Sequence, residues 1–124
     1  SRSVQHAGED RREIIHHLAD SEMTSAMRLR RLLAEDNPTI VGYDEAEFAR
    51  RLHYDRPIAS SLEAFRWARI STAEILDGLS DAEWGRSGMH SESGPYSVTR
   101  WLEIYAEHAH KHAGQIRRAR AATA

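Results

Sequence analysis

Val98-Thr99-Arg100-Trp101-Leu102-Glu103-Ile104-Tyr105-Ala106-Glu107-His108-Ala109-His110-Lys111-His112 is the stretch whose reading decides the fold. At about 100° per residue, Val98, Trp101, Ile104, Tyr105 and the later Ile116 fall on one half of a helix. Glu103, Glu107, His110, Arg117 and Arg118 fall on the other. An apolar stripe opposite a charged face marks a helix packed on a core. The spacing predicts a last helix from about Ser97 to Ala121. His108 and His112 share its apolar half, about 40° apart. Two imidazoles at i and i+4 reach one ion, the geometry behind HExxH. On a buried stripe an unpartnered histidine is costly, so a shared ion is favoured over a solvated histidine-rich face. His110 reads as an ordinary surface residue.

Upstream, about Asp10 to Ala34 is free of Pro and Gly and predicts a long first helix. Its stripe is Ile14, Leu18, Ser21 or Glu22, Ser25, Leu29 and Leu32, and Asn37-Pro38 ends it. His17 sits at the edge of that stripe and His16 well outside it. Toward the polar side of His17 lie Glu13, Asp20, Ser21, Thr24 and Arg28, which together look like one wall of a cleft. Asp44 with Glu47, Ser60 with Glu63 and Ser80 with Glu83 resemble capping boxes. They open a short helix over Asp44–Leu52, a long one to Gly78, and a last short turn. The middle helix has Leu62, Phe65, Thr72, Leu76 and Leu79 as its expected stripe. Gly85–Pro95 reads as a Gly- and Ser-rich loop, and no convincing strand is visible. The fold class is therefore all-α, an antiparallel bundle with three long helices. A fourth is missing or supplied by a partner chain.

With 124 residues the chain has room for one domain. Residues 1–9 are expected to be a poorly ordered lead-in, and 10–124 the helical domain. A net charge of -2 argues against nucleic acid or an anionic membrane. The Arg28-x-Arg30-Arg31 and Arg117-Arg118-x-Arg120 clusters are accordingly read as solvated faces. There is no cysteine, which excludes disulfides, thiolate metal sites and a cysteine nucleophile and suits the cytoplasm. No apolar run approaches the roughly 20 residues of a membrane span.

His16-His17-Leu18-Ala19-Asp20-Ser21, Glu35-Asp36-Asn37-Pro38, Tyr43-Asp44-Glu45, Gly88-Met89-His90 and His108–Ile116 together resemble the DinB superfamily. Within it, the YfiT-like group of metal-dependent hydrolases and thiol S-transferases looks closest. The resemblance implies a DinB-like metal-binding bundle with His17, His108 and His112 as ligands. Two departures stand out. Only sixteen residues precede His17, where the family has a long helix. The last motif reads Glu107-His108 and Lys111-His112, where members often carry Trp-His and His-His.

Three neutral imidazoles suit one divalent transition metal, Zn, Ni, Fe or Mn, and leave a position open for water or substrate. The resemblance implies hydrolysis, or transfer involving a low-molecular-weight thiol, on a small-molecule substrate, with no protein nucleophile. Each ligand imidazole needs a partner for its second N–H. Glu13, Asp20, Tyr43, Tyr105 and Gln115 are candidates by position, and Ser21 lines the same wall. Arg28 could hold an anionic substrate group; a surface or ion-paired arginine is the ordinary alternative. His90 could reach the cleft mouth or be merely exposed. Tyr43, Trp84 and Trp101 read as packing aromatics. A homodimer is expected, and a non-catalytic, metal-stabilised or metal-sensing helical dimer is the alternative function. A di-iron site on Glu13-x-x-His16 and Glu107-x-x-His110 has the right spacing but faces away from both stripes.

Overall fold

The computed structural model describes residues 11–108. The expected lead-in, His110, His112 and Gln115 lie outside them. Helix α1 spans Arg11–Ala34. Beyond it Asn37 takes a left-handed backbone, φ 47°, a conformation asparagine tolerates. Strand β1, Thr39–Ile40, follows, then α2, Glu45–Arg51, and α3, Ala59–Asp77. Helix α4 is one turn, Asp81–Trp84, and strands β2, Ser87–His90, and β3, Gly94–Ser97, lead into the last helix, α5, over 98–108. The architecture is helical, with α1 packed along α3.

The segment read as loop and the absence of strands are corrected here. β2 and β3 form an antiparallel hairpin with Gly88 opposite Tyr96, and β1 joins β2 in parallel with Ile40 opposite His90. The residues that signalled a loop are what allow the sheet. A Cβ on Gly88 would stand 2.3 Å from the Pro38 carbonyl oxygen, which Met89 N–H reaches at 2.9 Å. Gly94 enters β3 at φ +82°. Pro95, without an N–H to donate, lies on an edge strand.

Two of the three expected caps are seen. Ser80 and Glu83 form the full reciprocal box around α4. Asp44 caps α2 through Glu47 N–H at 3.1 Å, while the Glu47 carboxylate turns to Arg50 and Arg51. Ser60 does not cap: α3 starts a residue before it, with Ile58 as N-cap and no side-chain bond. The Arg56-Pro57 break places the turn earlier than the serine signal. Gly78 ends α3 as expected.

The core joins Leu29 and Leu32 of α1 to Ile40, Tyr96, Val98 and Trp101, with Trp84, Leu79 and Ile104 against its rim. Arg86 ties it off, donating to the Leu32 and Glu35 carbonyls at 3.0 and 2.8 Å, where the end of α1 leaves acceptors unpaired. On α3 the buried side differs from expectation. Ser61 and Thr72 are buried, but Leu62, Trp67 and Ile70 are exposed. The inner face of α3 meets the polar side of α1, so hydroxyls rather than leucines fill it. Among the described residues no helix is long and apolar enough to cross a membrane.

Candidate metal and substrate cleft

Helix α1 carries the site on the polar side of its middle turns, beside the core residues Tyr96 and Trp101. Ser21, Thr24, Ser25 and Arg28 form one wall of a cleft of about 330 Å³. Gly42, Tyr43 and Glu45 form the second, His90, Glu92, Ser93 and Tyr96 the third, and Trp101, Ile104, Tyr105 and His108 of α5 close it. Of the residues expected on one wall, Ser21, Thr24 and Arg28 line this cleft and Glu13, His17 and Asp20 do not; α5 supplies the aromatic flank. Trp101 is anchored by its indole N–H on the Ser25 carbonyl, 2.8 Å, and stacks on Tyr105 at 4.7 Å between centroids.

Ser21, Arg28, Tyr43, His90, Tyr105 and His108 all line this cleft. His108 does so from an exposed position, not from the sealed stripe expected of it. The stripe of α5 runs Val98, Trp101 and then half-buried Ile104 and Tyr105, so burial fades toward His108. His90 is more than an exposed loop residue. Its Nδ1 accepts the Glu92 N–H at 3.0 Å and its ring lies 5.3 Å from that of Tyr96.

His17 opens on an adjoining hollow with Glu13, Ile14, Glu45, Ala46, Ala49 and Tyr54. Its Nε2 is 3.9 Å from the Glu45 carboxylate. Glu45 borders both cavities, so one side chain links the His17 and His108 sides. Among the described residues no three His, Asp or Glu side chains gather closely enough to hold a metal ion. His112, the third expected ligand, lies outside them. Asp20 lines neither cavity; it accepts the Tyr54 hydroxyl at 2.5 Å.

Four phenols surround these spaces, and burial is the first reason each holds its proton more tightly than usual. For Tyr54 the Asp20 carboxylate adds to burial. For Tyr105 burial and the hydrogen bond to Glu22 push the hydroxyl up to about 12. Burial raises Tyr96 against the opposing charge of Arg28. Burial and then Glu45 raise Tyr43, with Ser21 and Arg28 pulling weakly the other way. The Tyr43 hydroxyl is buried yet makes no hydrogen bond of good geometry among the described residues.

Sequence reasoning missed two buried networks. His16, placed well outside the stripe, is fully buried. Its Nε2 faces the Arg56 carbonyl at 2.8 Å and so carries the proton, which leaves Nδ1 to accept from Ser61 Oγ at 2.7 Å. Both ring nitrogens are used, which removes the ExxH di-iron reading. Glu22 is 4% exposed and binds Arg69 at 3.1 Å and the Tyr105 hydroxyl. The available signal was the helical spacing of His16, Ala19, Glu22, Ala26 and Leu29, a stripe hidden because two members are polar.

Residues 12–116 match the family profile of the DinB superfamily. The chain is similar, at 38% identity over 105 residues, to a protein of Oceanobacillus iheyensis, and at 29% over 108 residues to one of Halalkalibacterium halodurans. Both carry metal-dependent hydrolase in their names as a proposed activity. These matches take in 85% and 87% of this chain but 61% and 63% of those proteins, so the chain spans about three-fifths of the relatives' length. Among solved structures it is similar to YfiT from Bacillus subtilis, described as a probable metal-dependent hydrolase with an unusual four-helix bundle topology. That likeness has a TM-score of 0.80 at 27% identity, covering 87% of this chain and 63% of YfiT.

Proposed function

This chain belongs to the DinB superfamily, and from that premise we propose that it is part of a metal-dependent enzyme acting on a small molecule, with hydrolysis or transfer of a low-molecular-weight thiol as the reaction. His17, His108 and His112 would hold one divalent transition-metal ion. The observation that carries this reading is that His17 and His108, from opposite ends of the chain, open on adjoining hollows that share Glu45. Neutral imidazoles are the donor set that Zn, Ni, Fe and Mn accept. When bound, such an ion polarises a substrate carbonyl and acidifies water or a thiol at its open position.

The chain's own residues prepare the rest. Glu45, 3.9 Å from His17 Nε2, is placed to steady that ring and to take up a proton at its carboxylate. Tyr43 is protonated at neutral pH as an ordinary phenol is, burial and Glu45 hold that proton more tightly still, and it offers an O–H to a substrate oxygen. Trp101, Ile104 and Tyr105 give the cleft an apolar side that excludes water from a bound substrate. A homodimer belongs to the same proposal, supported by the exposed Leu62, Trp67 and Ile70 on α3.

Elemental mass spectrometry of the purified chain tests the metal. We expect about one transition-metal ion per chain, lost on His17→Ala or His112→Ala and kept on His110→Ala. Metal that is absent, or indifferent to His17, would end the metal-enzyme reading.

A further inference from the structure

Resting on the reading of the cleft as the substrate site, we propose that Arg28 and Tyr43 form a carboxylate-binding subsite, so that the substrate carries a single carboxylate. Arg28 donates from Nη2 to the Val41 carbonyl at 3.0 Å and has the Tyr96 hydroxyl as a further side-chain partner, which fixes the guanidinium and still leaves N–H donors for a ligand. Among the described residues no carboxylate comes within ion-pair distance of it. A guanidinium is always charged and offers the planar fork that carboxylates fit. Arg28 also borders a shallow hollow beside Met23 and Met27, so its position alone does not choose a side.

Tyr43 chooses it. Its hydroxyl is buried and lines the cleft with Arg28; Ser21 is its side-chain partner, but no bond of good geometry joins the two. A buried donor with only a poorly formed bond is uncommon in folded proteins and points to a better acceptor in the ligand. An oxyanion would supply that acceptor and face Arg28 at once.

The charge of the ligand follows from the opposite wall. Glu45 and Glu92 line the same cleft, and the Glu92 carboxylate packs over Gly42, 2.1 Å from where a Cβ would stand. A second negative charge on the ligand would meet both. A monoanionic carboxylate fits; a phosphate dianion is opposed.

The test is isothermal titration of the purified chain with 3-phenylpropionate, its uncharged amide 3-phenylpropanamide, and phenyl phosphate, with metal content measured beside each titration. The acid should bind about tenfold more tightly than the amide, the scale of one charge-assisted bidentate contact. Phenyl phosphate should bind more weakly than the acid. Arg28→Gln should bring acid and amide together at unchanged metal content. Tyr43→Phe, which keeps the ring against Phe48, should lower the preference about threefold, on the scale of one lost hydrogen bond. If Arg28→Gln does not fold, Tyr43→Phe decides. A preference shown by an unaltered chain that carries no metal would support this subsite while ending the metal reading. Equal binding of acid and amide, no binding of the acid, tighter binding of phenyl phosphate, or a preference that survives Arg28→Gln would each overturn it.

Discussion

The two halves of α1 are built on opposite principles. The second half presents Leu29 and Leu32 to a sealed apolar cluster with Trp101, Val98 and Ile40. The first half buries His16 and Glu22, each closed by named partners: Ser61 and the Arg56 carbonyl for one, Arg69 and Tyr105 for the other. Apolar burial is tolerant of geometry and stabilises by area removed from water. A buried polar network is stable only when each group is matched, and it fixes orientation in return. The cleft lies where these halves meet, so its floor is firm on one side and specified by hydrogen bonds on the other.

Truncation should expose that contrast most strongly. Leu29→Ala is expected to cost about 2–5 kcal/mol, because a fully buried side chain leaves a cavity. Glu22→Ala should cost about 2 kcal/mol: the Tyr105 hydroxyl loses its acceptor, while Arg69, 42% exposed, retains access to water. The volume-matched changes should part further. Leu29→Met should be nearly silent, whereas Glu22→Met should still destabilise. Urea midpoints for the four variants check this, and a silent Glu22→Met would mean the network is no more demanding than the core.

The adjacent histidines sharpen the comparison within a single turn. His16→Ala should lower stability by about 1–3 kcal/mol, since it removes both hydrogen bonds of a fully buried ring. His17→Ala should leave the metal-free chain close to its original stability, because its ring is already 22% exposed. With metal added, only the chain retaining His17 should gain thermal stability. Equal behaviour of the two variants would break the assignment of structure to one and function to the other.

What the sequence disclosed follows the same division. The apolar stripe of α5, the first helix with its Asn37-Pro38 end, and the cleft wall Ser21, Thr24 and Arg28 were all legible, because residue type and helical period agree there. The burial of His16 was not, and Glu22 stood in the stripe only as an alternative to Ser21, since their partners Ser61, Arg56 and Arg69 come from distant segments and only the fold brings them near. The hairpin was hidden for another reason. Gly88 and Gly94 signal a break in regular structure, yet here one admits the Pro38 backbone and the other supplies a positive φ. Glu45 entered only as part of the Tyr43-Asp44-Glu45 segment with no role of its own, and its position between two cavities is what sets it apart.

The polar half should also carry its own pH signature. Tyr105 is held protonated up to about pH 12 by burial and by its bond to Glu22, against an ordinary value of 10.0. A phenol whose pKa is raised on folding contributes stability that is fully present below its unfolded value and lost as pH climbs through the folded one. Stability should therefore fall between about pH 10 and 12. Tyr105→Phe should start lower at neutral pH and fall less steeply across that window; Tyr43, Tyr54 and Tyr96 keep part of the slope, because each is raised as well. Parallel curves for the two proteins would show that Tyr105 contributes nothing to it.

The smallest effect separates two serines with the same sequence signature. Ser60-x-x-Glu63 and Ser80-x-x-Glu83 read alike, but only Ser80 has its hydroxyl on the third N–H of its helix, at 3.2 Å, with Glu83 returning to the Ser80 N–H at 2.9 Å. Ser80→Ala should cost about 1 kcal/mol, the usual loss for an N-cap hydroxyl. Ser60 lies inside α3, past the Ile58 cap, where alanine is the better helix former. Ser60→Ala should therefore be neutral or slightly stabilising, and paired thermal melts resolve the difference. Alanine at Ser60 costing as much as alanine at Ser80 would mean that α3 begins where its sequence signal places it.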